Sequence, residues 1–521
     1  MNEPERLQKA IGLAMEAGYQ LDKDAFDFLS MLAATEDPVD LMTKAIRNIE
    51  ESNEKLIFIG KEVLQTHLKP LRLAEEVTEE RLIPQDPLDQ NTERRDMTEY
   101  KTLFRPFAKE IESDLQVIED PGSQIGSGGT LEDYVSYFQD RFRQLERLLR
   151  QRMDVKSATS VMDGVKAPTN QRLKMVCMVT EMRESNQNIF VAVEDLKAST
   201  TLLVPRNASS DLQKKTRNLL LDQVVCFSVL KTRSGLLLVE DVILPDVAQR
   251  SQHKASEKVY AVLTSDLHVG SKLFTRNAFN RFILWLNGRY GDTRMRELAS
   301  HVKYVLIAGD VVDGIGVYPN QAKELAIRDV NKQYRLAARY LEHIPDYVQV
   351  VVTPGNHDAP RKALPQPPIA DTFLESLEDS REICSFGNPC LVSLHGVEVL
   401  VYHGRSLDDV ISTVPGMNHS HPERAMRLLL QARHLAPLYG GKTPLSPEKK
   451  DFLVVDRVPD IFHVGHVHAV ECASYRGVLS VNSGCWQEQT GYMIRNGFMP
   501  TPAKVPVINL QTLETELIPF D

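Results

Sequence analysis

Five strand-length apolar runs in the C-terminal half of the chain each end directly in aspartate, asparagine or histidine. The runs are separated by segments with apolar residues at helical spacing, such as RNAFNRFILWLN and PERAMRLLLQARHL. Strands that alternate with helices are typical of a layered α/β domain. The pattern therefore predicts such a domain over residues 257–521. The five run ends are TSDLHVG, AGDVVDG, TPGNHD, VYHGRS and HVGHVH.

The polar residues at these run ends are types that bind metal ions. Loops that leave the carboxyl ends of neighbouring strands meet in space, so residues far apart in the sequence can share one site. Alternate side chains of an extended backbone face the same side, which would bring Asp266 beside His268. The same alternation would bring His466 beside His468 and turn His463 away. The candidate site residues are Asp266, His268, Asp310, Asn356, His357, Asp358, His403, His466 and His468.

The candidate set mixes carboxylate, imidazole and amide ligands. This mixture suits manganese, iron or zinc better than calcium or an all-cysteine site. Two metal ions close together need a shared carboxylate, and Asp310 is the candidate bridge. Asp313 has no ligand role in this scheme, and we expect it to fix its loop or to support a ligand from behind. Glycines that would permit tight turns and close approach beside the ligands are Gly309, Gly355, Gly404 and Gly465.

The N-terminal third divides into two segments. Residues 1–70 begin with amphipathic runs, and Asp37 followed by Pro38 is typical of a helix start, so a small helical module is predicted. Residues 71–165 contain the run PGSQIGSGG and predict a flexible charged linker. A basic helix over residues 131–153 closes this linker. Its arginines could bind phosphate or a partner, although a solvated helix face is the commoner outcome.

Residues 166–250 contain five short β-rich runs, with a polar stretch before the fourth. Five strands with that longer connection suit a small Greek-key barrel of the OB type, although the spacing does not separate it from other small β-barrels. Such barrels often bind single strands through aromatic platforms. Aromatic residues are sparse here, chiefly Phe190 and Phe227. Packing or docking onto a protein partner is therefore at least as well supported as strand binding.

The composition limits the classes of function. The formal net charge of −10 argues against a wholly basic nucleic-acid coat. Six cysteines without a Cys-x-x-Cys pair predict neither a disulfide framework nor a zinc ribbon. No apolar run is long enough to span a membrane, and the first residues lack the layout of a signal peptide. We therefore expect a cytoplasmic protein.

The ordered motifs D-x-H, G-D-x-x-D, G-N-H-D, His-Gly and G-H-x-H resemble those of the calcineurin-like metallophosphoesterase superfamily over residues 258–485. The resemblance implies a two-metal phosphoesterase. It also implies that His357 stabilises the transferring phosphoryl group or protonates the leaving oxygen, with Asp358 hydrogen-bonded to hold its ring. The implied ligand sets are Asp266, His268, Asp310 and His468 for one metal ion, and Asp310, Asn356, His403 and His466 for the other.

Two features indicate which branch of the superfamily the chain resembles. Phosphoprotein phosphatases of the superfamily usually carry an arginine after the second aspartate and a glutamate after Asn-His, whereas this chain has Gly314 and Asp358. The nuclease branch uses the aspartate form. The order of helical module, linker, barrel and phosphoesterase domain also resembles the small-subunit family of the archaeal D-family DNA polymerases. Residues 432–468 and 481–490, and PTPAKVPVINL near the end, are similar to that family as well.

That resemblance implies a proofreading 3′-to-5′ exonuclease that acts on the single-stranded 3′ end of a DNA primer. It further implies two divalent metal ions, with manganese favoured, and a heterodimer with a large polymerising subunit. The alternative is a catalytically silent scaffold protein, like the non-enzymatic small subunits of eukaryotic replicative polymerases that have lost metal ligands. Here every expected ligand is present. A small-molecule or cyclic-nucleotide phosphodiesterase would account for the site but not for the barrel.

Overall fold

The computed structural model describes residues 3–17, 19–21, 25–26, 29, 38–52, 58–59, 104–373 and 383–521. The chain forms two units, residues 1–82 and residues 83–521. Among the residues in the described ranges, no helix is both long enough and apolar enough to cross a membrane.

The described residues of the first unit include two amphipathic helices, α1 (Glu3–Glu16) and α2 (Pro38–Ser52). Small and aliphatic side chains of both helices form a buried core. Two short strands, β1 (Gln20–Leu21) and β2 (Phe58–Ile59), pair in parallel. Helix α2 begins at Pro38, a first-turn position where the missing N–H of proline leaves no hydrogen bond unmade. The end of the predicted module, residues 60–70, lies outside the described residues.

A strand forms inside the segment that was predicted to be a flexible linker. Strand β3 (Leu115–Glu119) pairs antiparallel with the strand at Cys390–Leu394. The Gly/Ser-rich run is also held in place, because the backbone N–H groups of Gly126 and Ser127 donate to Glu448. The linker prediction is therefore wrong for the stretch from β3 to this run. Contacts with distant residues supply the order that the local composition lacks. Residues 71–103 lie outside the described part of the chain.

The predicted basic helix is α3 (Leu131–Arg150), which starts in a capping box between Thr130 and Asp133. Its apolar face packs on three strands of the neighbouring barrel. Arg141 is fully buried and forms an ion pair of 2.8 Å with Asp451. The side chain of Arg141 is therefore neither accessible to phosphate nor part of a solvated helix face. The other three arginines of the helix keep part of their surface in solvent, as a solvated face would.

Helix α4 (Val161–Lys166) precedes a closed five-stranded barrel. The strands coincide with the five predicted β-rich runs, and helix α5 (Ser210–Arg217) occupies the polar connection before the fourth strand. Phe227 is fully buried in the barrel core, which removes it as an exposed platform for bases. The barrel strands are β4 (Arg172–Ser185), β5 (Asn188–Glu194), β6 (Ser199–Val204), β7 (Val224–Lys231) and β8 (Leu237–Ile243). Their order around the barrel is β4-β5-β6-β8-β7.

The remainder of the second unit is built on two six-stranded sheets. Its strands are β9 (Tyr260–Thr264), β10 (Val302–Ala308), β11 (Gln349–Thr353), β12 (Ile383–Ser385), β13 (Cys390–Leu394), β14 (Val397–Tyr402), β15 (Ile461–Val464), β16 (Glu471–Tyr475), β17 (Val478–Asn482), β18 (Lys504–Asn509) and β19 (Thr515–Pro519). The first sheet has the order β12-β11-β10-β9-β18-β19, and the second β16-β17-β15-β14-β13-β3. Strands β9 to β12 run parallel, and so do β14, β15 and β17.

Apolar side chains fill the space between the two sheets and cover both outer faces. The central strands are buried on both sides, which explains why their sequences are nearly continuous apolar runs. The result is a mixed α/β fold in which helices flank a pair of sheets. The first sheet is covered by α6 (Arg276–Leu286), α7 (Thr293–Ser300) and α8 (Val330–Glu342), and the second by α9 (Leu407–Thr413) and α10 (Pro422–Ala432). Helix α11 (Gly491–Asn496) follows β17.

Candidate metal centre

The predicted site residues follow the carboxyl ends of five parallel strands, three from the first sheet and two from the second. Asp266, Asp310 and Asn356 come two or three residues after β9, β10 and β11. His403 directly follows β14, and His466 comes two residues after β15. The two sheets therefore contribute side chains to one site at a shared edge.

Three overlapping groups of side chains place their ligand atoms within 4.8 Å of one another. Asp310 belongs to two of these groups, which suits the bridging position predicted for it. Asp266 and His268 are each shared as well. Every member is buried or nearly so. The groups are Asp266, His268 and His468; His268, Asp310 and His357; and Asp266, Asp310 and His403.

The hydrogen bonds of His403 indicate what the cluster can hold. Its Nδ1–H donates to the backbone carbonyl of Ala308 at 2.9 Å, so a neutral ring has a lone pair on Nε2. That lone pair faces two further acceptors, Asn356 Oδ1 at 3.0 Å and Asp310 Oδ1 at 3.4 Å. Acceptors can face one another only with a proton or a cation between them. Burial opposes a proton there, but Asp310 outweighs it and raises the pKa of His403 to about 9.

A second place for a cation lies between His268, His468 and Asp266. The Nδ1–H of His268 is directed to Asp313 at 2.9 Å, and its Nε2 lies 3.1 Å from Nε2 of His468. Asp266 Oδ1 lies 3.3 Å from the same nitrogen of His468 and, within the described part of the chain, accepts no hydrogen bond. Imidazole and carboxylate acceptors arranged in this way fit a transition metal ion such as manganese, iron or zinc.

Asp313 accepts hydrogen bonds from two histidine rings on the side away from the cluster, in line with the role expected of it. Its carboxylate accepts from Nδ1–H of His268, and also from the side-chain amide of Gln487 at 3.0 Å. Its backbone carbonyl accepts from Nδ1–H of His357 at 2.7 Å. Both rings are therefore fixed with Nε2 toward the cluster, an arrangement common behind metal-binding histidines.

Asp358 does not hold the ring of His357, so that part of the prediction is wrong. Its carboxylate accepts hydrogen bonds from backbone N–H groups of the loops after β10 and β11 and from the hydroxyl of Tyr334 at 3.0 Å. It thereby ties together the two loops that present Asp310 and Asn356. Burial raises the pKa of Asp358 to about 6.

The ligand loops are not extended, which corrects the reason given for pairing Asp266 with His268 and His466 with His468. These four residues have φ values of +52°, +51°, +69° and +58°. Left-handed conformations cost non-glycine residues about 1–3 kcal/mol each, and such residues are often found at functional sites. His463 lies inside β15 and does follow the pleat, with its ring 3.0 Å from a serine hydroxyl. Strained turns, and not strand alternation, direct the four side chains.

Two of the predicted glycines leave space that the cluster needs. A Cβ atom at Gly355 would overlap the carboxylate of Asp310. A Cβ atom at Gly465 would lie 2.5 Å from Oδ2 of Asp266. Any side chain at either position would displace a carboxylate of the cluster.

His466 stands apart from the three groups, although its ring centroid lies 5.1 Å from that of His403. Its Nε2 lies 3.3 Å from Asp408, whose other carboxylate oxygen lies 3.0 Å from Nε2 of His419. Burial opposes ionisation of Asp408, but the two histidines hold its pKa well below the usual range. Asp408 and His419 were not predicted from the sequence. An aspartate in the first turn of a helix that follows a ligand strand was the available signal.

The cluster opens into a cleft of about 350 Å³. Arg405 and Lys442 line it and bring positive charge to a site built on carboxylates. Aromatic side chains line it too, among them Tyr318, Tyr492 and Phe498. None of these five residues was predicted from the sequence, although Arg405 lies in the run VYHGRS, two residues after His403.

Comparison with known proteins identifies a matching family model and several similar proteins. A family model that describes the B subunits of DNA polymerases alpha and epsilon matches residues 261–472. The DNA polymerase II small subunit of Pyrococcus furiosus is 36% identical over 445 residues, which cover 82% of this chain and 72% of that protein. For the DNA polymerase II small subunit of Archaeoglobus fulgidus the identity is 39% over 397 residues, with 75% and 78% covered.

The similarity to the DNA polymerase II small subunit of Halobacterium salinarum strain R1 extends over most of the chain. The two are 34% identical over 513 residues, which cover 96% of this chain and 97% of that protein. The match therefore includes the N-terminal unit. Among solved structures, an archaeal phosphodiesterase aligns with 50% of this chain and 99% of its own length, at 16% identity and a TM-score of 0.26.

Proposed function

This chain belongs to the family of DNA polymerase II small subunits, and we propose that it is the 3′-to-5′ exonuclease subunit of a heterodimeric replicative DNA polymerase. The proposed substrate is the single-stranded 3′ end of a DNA primer, and the proposed partner is a large polymerising subunit. One observation carries the proposal: Nε2 of His403 lies 3.0 Å from Oδ1 of Asn356 and 3.4 Å from Oδ1 of Asp310, in a buried cluster where a cation could take the place of the ring proton.

The proposed metal ions are two divalent cations, manganese in each place. When bound, they would lower the pKa of a water molecule and neutralise charge on the phosphodiester. Two carboxylates do not balance four positive charges, so the site would attract an anion although the protein has a net charge of −10. The ligand sets are Asp266, His268, Asp310 and His468 for one ion, and Asp310, Asn356, His403 and His466 for the other.

His357 is the proposed catalytic residue that does not bind metal. Burial lowers its pKa to about 4, so the ring is neutral in the free protein and Nε2 can accept a proton. The bond from Nδ1–H to the carbonyl of Asp313 keeps that lone pair on the cleft side. A phosphate anion within reach would raise the pKa, because it favours the charged ring. The ring would then donate its proton to the oxygen that leaves as the phosphodiester breaks.

Arg405 and Lys442 are the proposed phosphate-binding residues of the cleft. Their charges lie beside the cluster, and cations that line a cleft raise the local concentration of an anionic substrate. Asp358 is proposed as a positioning residue, since it fixes the loops that present Asp310 and Asn356 and does not face the substrate.

The test uses the full chain, alone and with its large subunit, in the presence of Mn²⁺. The substrates are 5′-labelled single-stranded DNA and a primer with a mismatched 3′ end, resolved by length on a denaturing gel. We expect stepwise shortening by the wild type and its loss in His357→Ala. His253→Ala is the matched control, because this half-exposed histidine lies outside the cluster, and it should shorten DNA as the wild type does.

The outcomes separate the proposal from its alternatives. If the wild type and His357→Ala leave DNA equally intact, the chain is a silent scaffold and the proposal fails. If a small chromogenic phosphodiester is hydrolysed while DNA is not, the chain is a small-molecule phosphodiesterase. Shortening that persists in His357→Ala would remove this histidine from the mechanism.

A further inference from the structure

A continuous series of aromatic rings borders the cleft. The ring centroids of His357 and Tyr318 lie 6.1 Å apart, and those of Tyr318 and Tyr492 lie 5.9 Å apart. Tyr492 is 6.3 Å from Phe498, which in turn is 3.9 Å from His419. We call these five residues the aromatic arc. It starts at the proposed catalytic histidine and ends at His419, whose ring lies 3.0 Å from Asp408, the carboxylate beside His466, so it follows the rim of the candidate metal centre.

The middle of the aromatic arc is open to solvent. Tyr492 is 40% exposed, and its neighbours Ile494 and Met499 are 62% and 68% exposed. Tyr492 itself lines the polar cleft, and packing does not account for an aromatic ring that stays 40% exposed there. Exposed apolar patches of this kind mark places where a ligand or partner binds.

We propose that the aromatic arc binds the base of the 3′-terminal nucleotide of single-stranded DNA by stacking. This inference rests on the proposed exonuclease function and names how that site would hold its substrate. Every base has an aromatic face, so stacking on Tyr492 and Phe498 would tolerate any sequence. Arg405 and Lys442 line the same cleft and are suited to the phosphates that lead into it.

The size of the cleft favours one unpaired nucleotide. Its volume of about 350 Å³ is near the lower end of the roughly 300–1,000 Å³ of small-ligand sites. A paired base would have to leave its own stack before it could reach the arc, and this costs least at a mismatched or frayed end. The arc would therefore favour unpaired ends over paired ones before any bond is broken.

The test is a binding experiment with a spectroscopic readout. The probe is single-stranded DNA with 2-aminopurine as its last base, whose fluorescence falls when it stacks, and with a phosphorothioate at the terminal linkage to resist hydrolysis. The full chain is titrated with this probe in the presence of Mn²⁺. The variant is Tyr492→Leu/Phe498→Leu, which removes both rings and keeps apolar bulk. The matched control is Tyr492→Phe/Phe498→Tyr, which keeps both rings.

We expect the wild type and the matched control to quench the terminal probe. The leucine pair should lose most of the quenching and bind at least about fivefold more weakly, the lower range for loss of one base–aromatic stack. A probe with 2-aminopurine six positions from the end should stay bright with every variant. Tyr492→Leu alone, which changes a ring that is 40% exposed, gives the same comparison should the leucine pair fail to fold.

Three results would overturn the inference. The first is equal quenching by the wild type and by a folded leucine variant. The second is equal quenching of the terminal and internal probes. The third is loss of binding to the large subunit in the leucine variant with unchanged quenching, which would make the arc a protein-docking surface. If the wild type quenches the terminal probe but does not shorten unmodified DNA, the stacking site is supported and the proposed exonuclease function is wrong.

Discussion

The Nε2 atom of His403 lies 3.0 Å from the Oδ1 atom of Asn356. The other ring nitrogen already donates to a backbone carbonyl, so Nε2 can meet this oxygen only through a proton, which the raised pKa of His403 supplies in the free protein, or through a cation. A divalent cation would take the place of that proton only in the folded state, which brings the ligands together. We therefore expect Mn²⁺ to stabilise the protein by about 2.7 kcal/mol at a concentration 100 times its Kd. Thermal unfolding of EDTA-treated protein, with and without Mn²⁺, measures this.

Asp310→Asn should abolish most of that stabilisation, because it removes charge from the carboxylate shared by two of the three ligand groups. Asp456→Asn serves as the control, since Asp456 is partly exposed and pairs with Arg147 away from the cluster. An equal shift in Tm for the wild type and Asp310→Asn would mean that manganese binds elsewhere on the chain.

Asp313 should control metal affinity without contributing a ligand. Asp313→Asn weakens the acceptor of the Nδ1–H bond from His268, which makes Nε2 of that ring a poorer ligand. Changes of this kind typically cost 10- to 100-fold in metal affinity, roughly, and we expect the same here. Competition with a fluorescent chelator gives the Kd. Asp346→Asn, at an exposed loop position, is the control and should leave the Kd unchanged. An unchanged Kd for Asp313→Asn would show that the hydrogen bond from His268 to Asp313 does not affect metal binding.

The candidate site was predictable because its strands are buried on both faces. Such strands appear in the sequence as nearly continuous apolar runs, so their ends, and the polar residues that follow, are easy to locate. Asp266 and Asp310 were found in this way. The reason given for the pairing of Asp266 with His268 was nevertheless wrong, because a left-handed turn has no hydrophobic period that would reveal it.

What the sequence did not reveal depends on contacts between distant residues. Strand β3 is ordered by a partner strand more than 250 residues later, and it lies in a segment whose Gly/Ser-rich run resembles a linker. Asp358 follows His357 directly, yet its side chain serves the loop after β10 and not the adjacent ring. Tyr492 has no ligand chemistry of its own, and only its position at the cleft marks it.

The ion pair between Arg141 and Asp451 should be a major contributor to the stability of the second unit. Both side chains are buried, so removal of the arginine leaves a carboxylate without its main counter-charge. Arg141→Met is expected to lower the free energy of unfolding by roughly 3–5 kcal/mol, as for other broken buried pairs. Urea denaturation measures the change. Arg143→Met, on the exposed face of the same helix, should change it by less than about 0.5 kcal/mol.

His434 should make the second unit sensitive to mild acid. In the neutral ring Nε2–H donates to Asp451 at 2.8 Å, and Nδ1 accepts from the backbone N–H of Ala436 at 3.0 Å. A second proton would destroy the latter bond. Burial, followed by the nearby charge of Arg141, lowers the pKa of His434 to about 4 from an ordinary value of 6.5.

Between about pH 4 and pH 6.5, His434 is therefore protonated in the unfolded chain but neutral in the folded protein. The free energy of unfolding should rise with pH across this window and fall as the solution is acidified, by roughly 3 kcal/mol for the full shift. His434→Gln can still donate to Asp451 but does not titrate. The slope of its free energy of unfolding against pH, measured by urea denaturation, should therefore correspond to the uptake of up to one proton fewer than in the wild type. His253→Gln, at a half-exposed ring, should follow the wild type. Parallel curves for His434→Gln and the wild type would show that His434 does not carry this dependence.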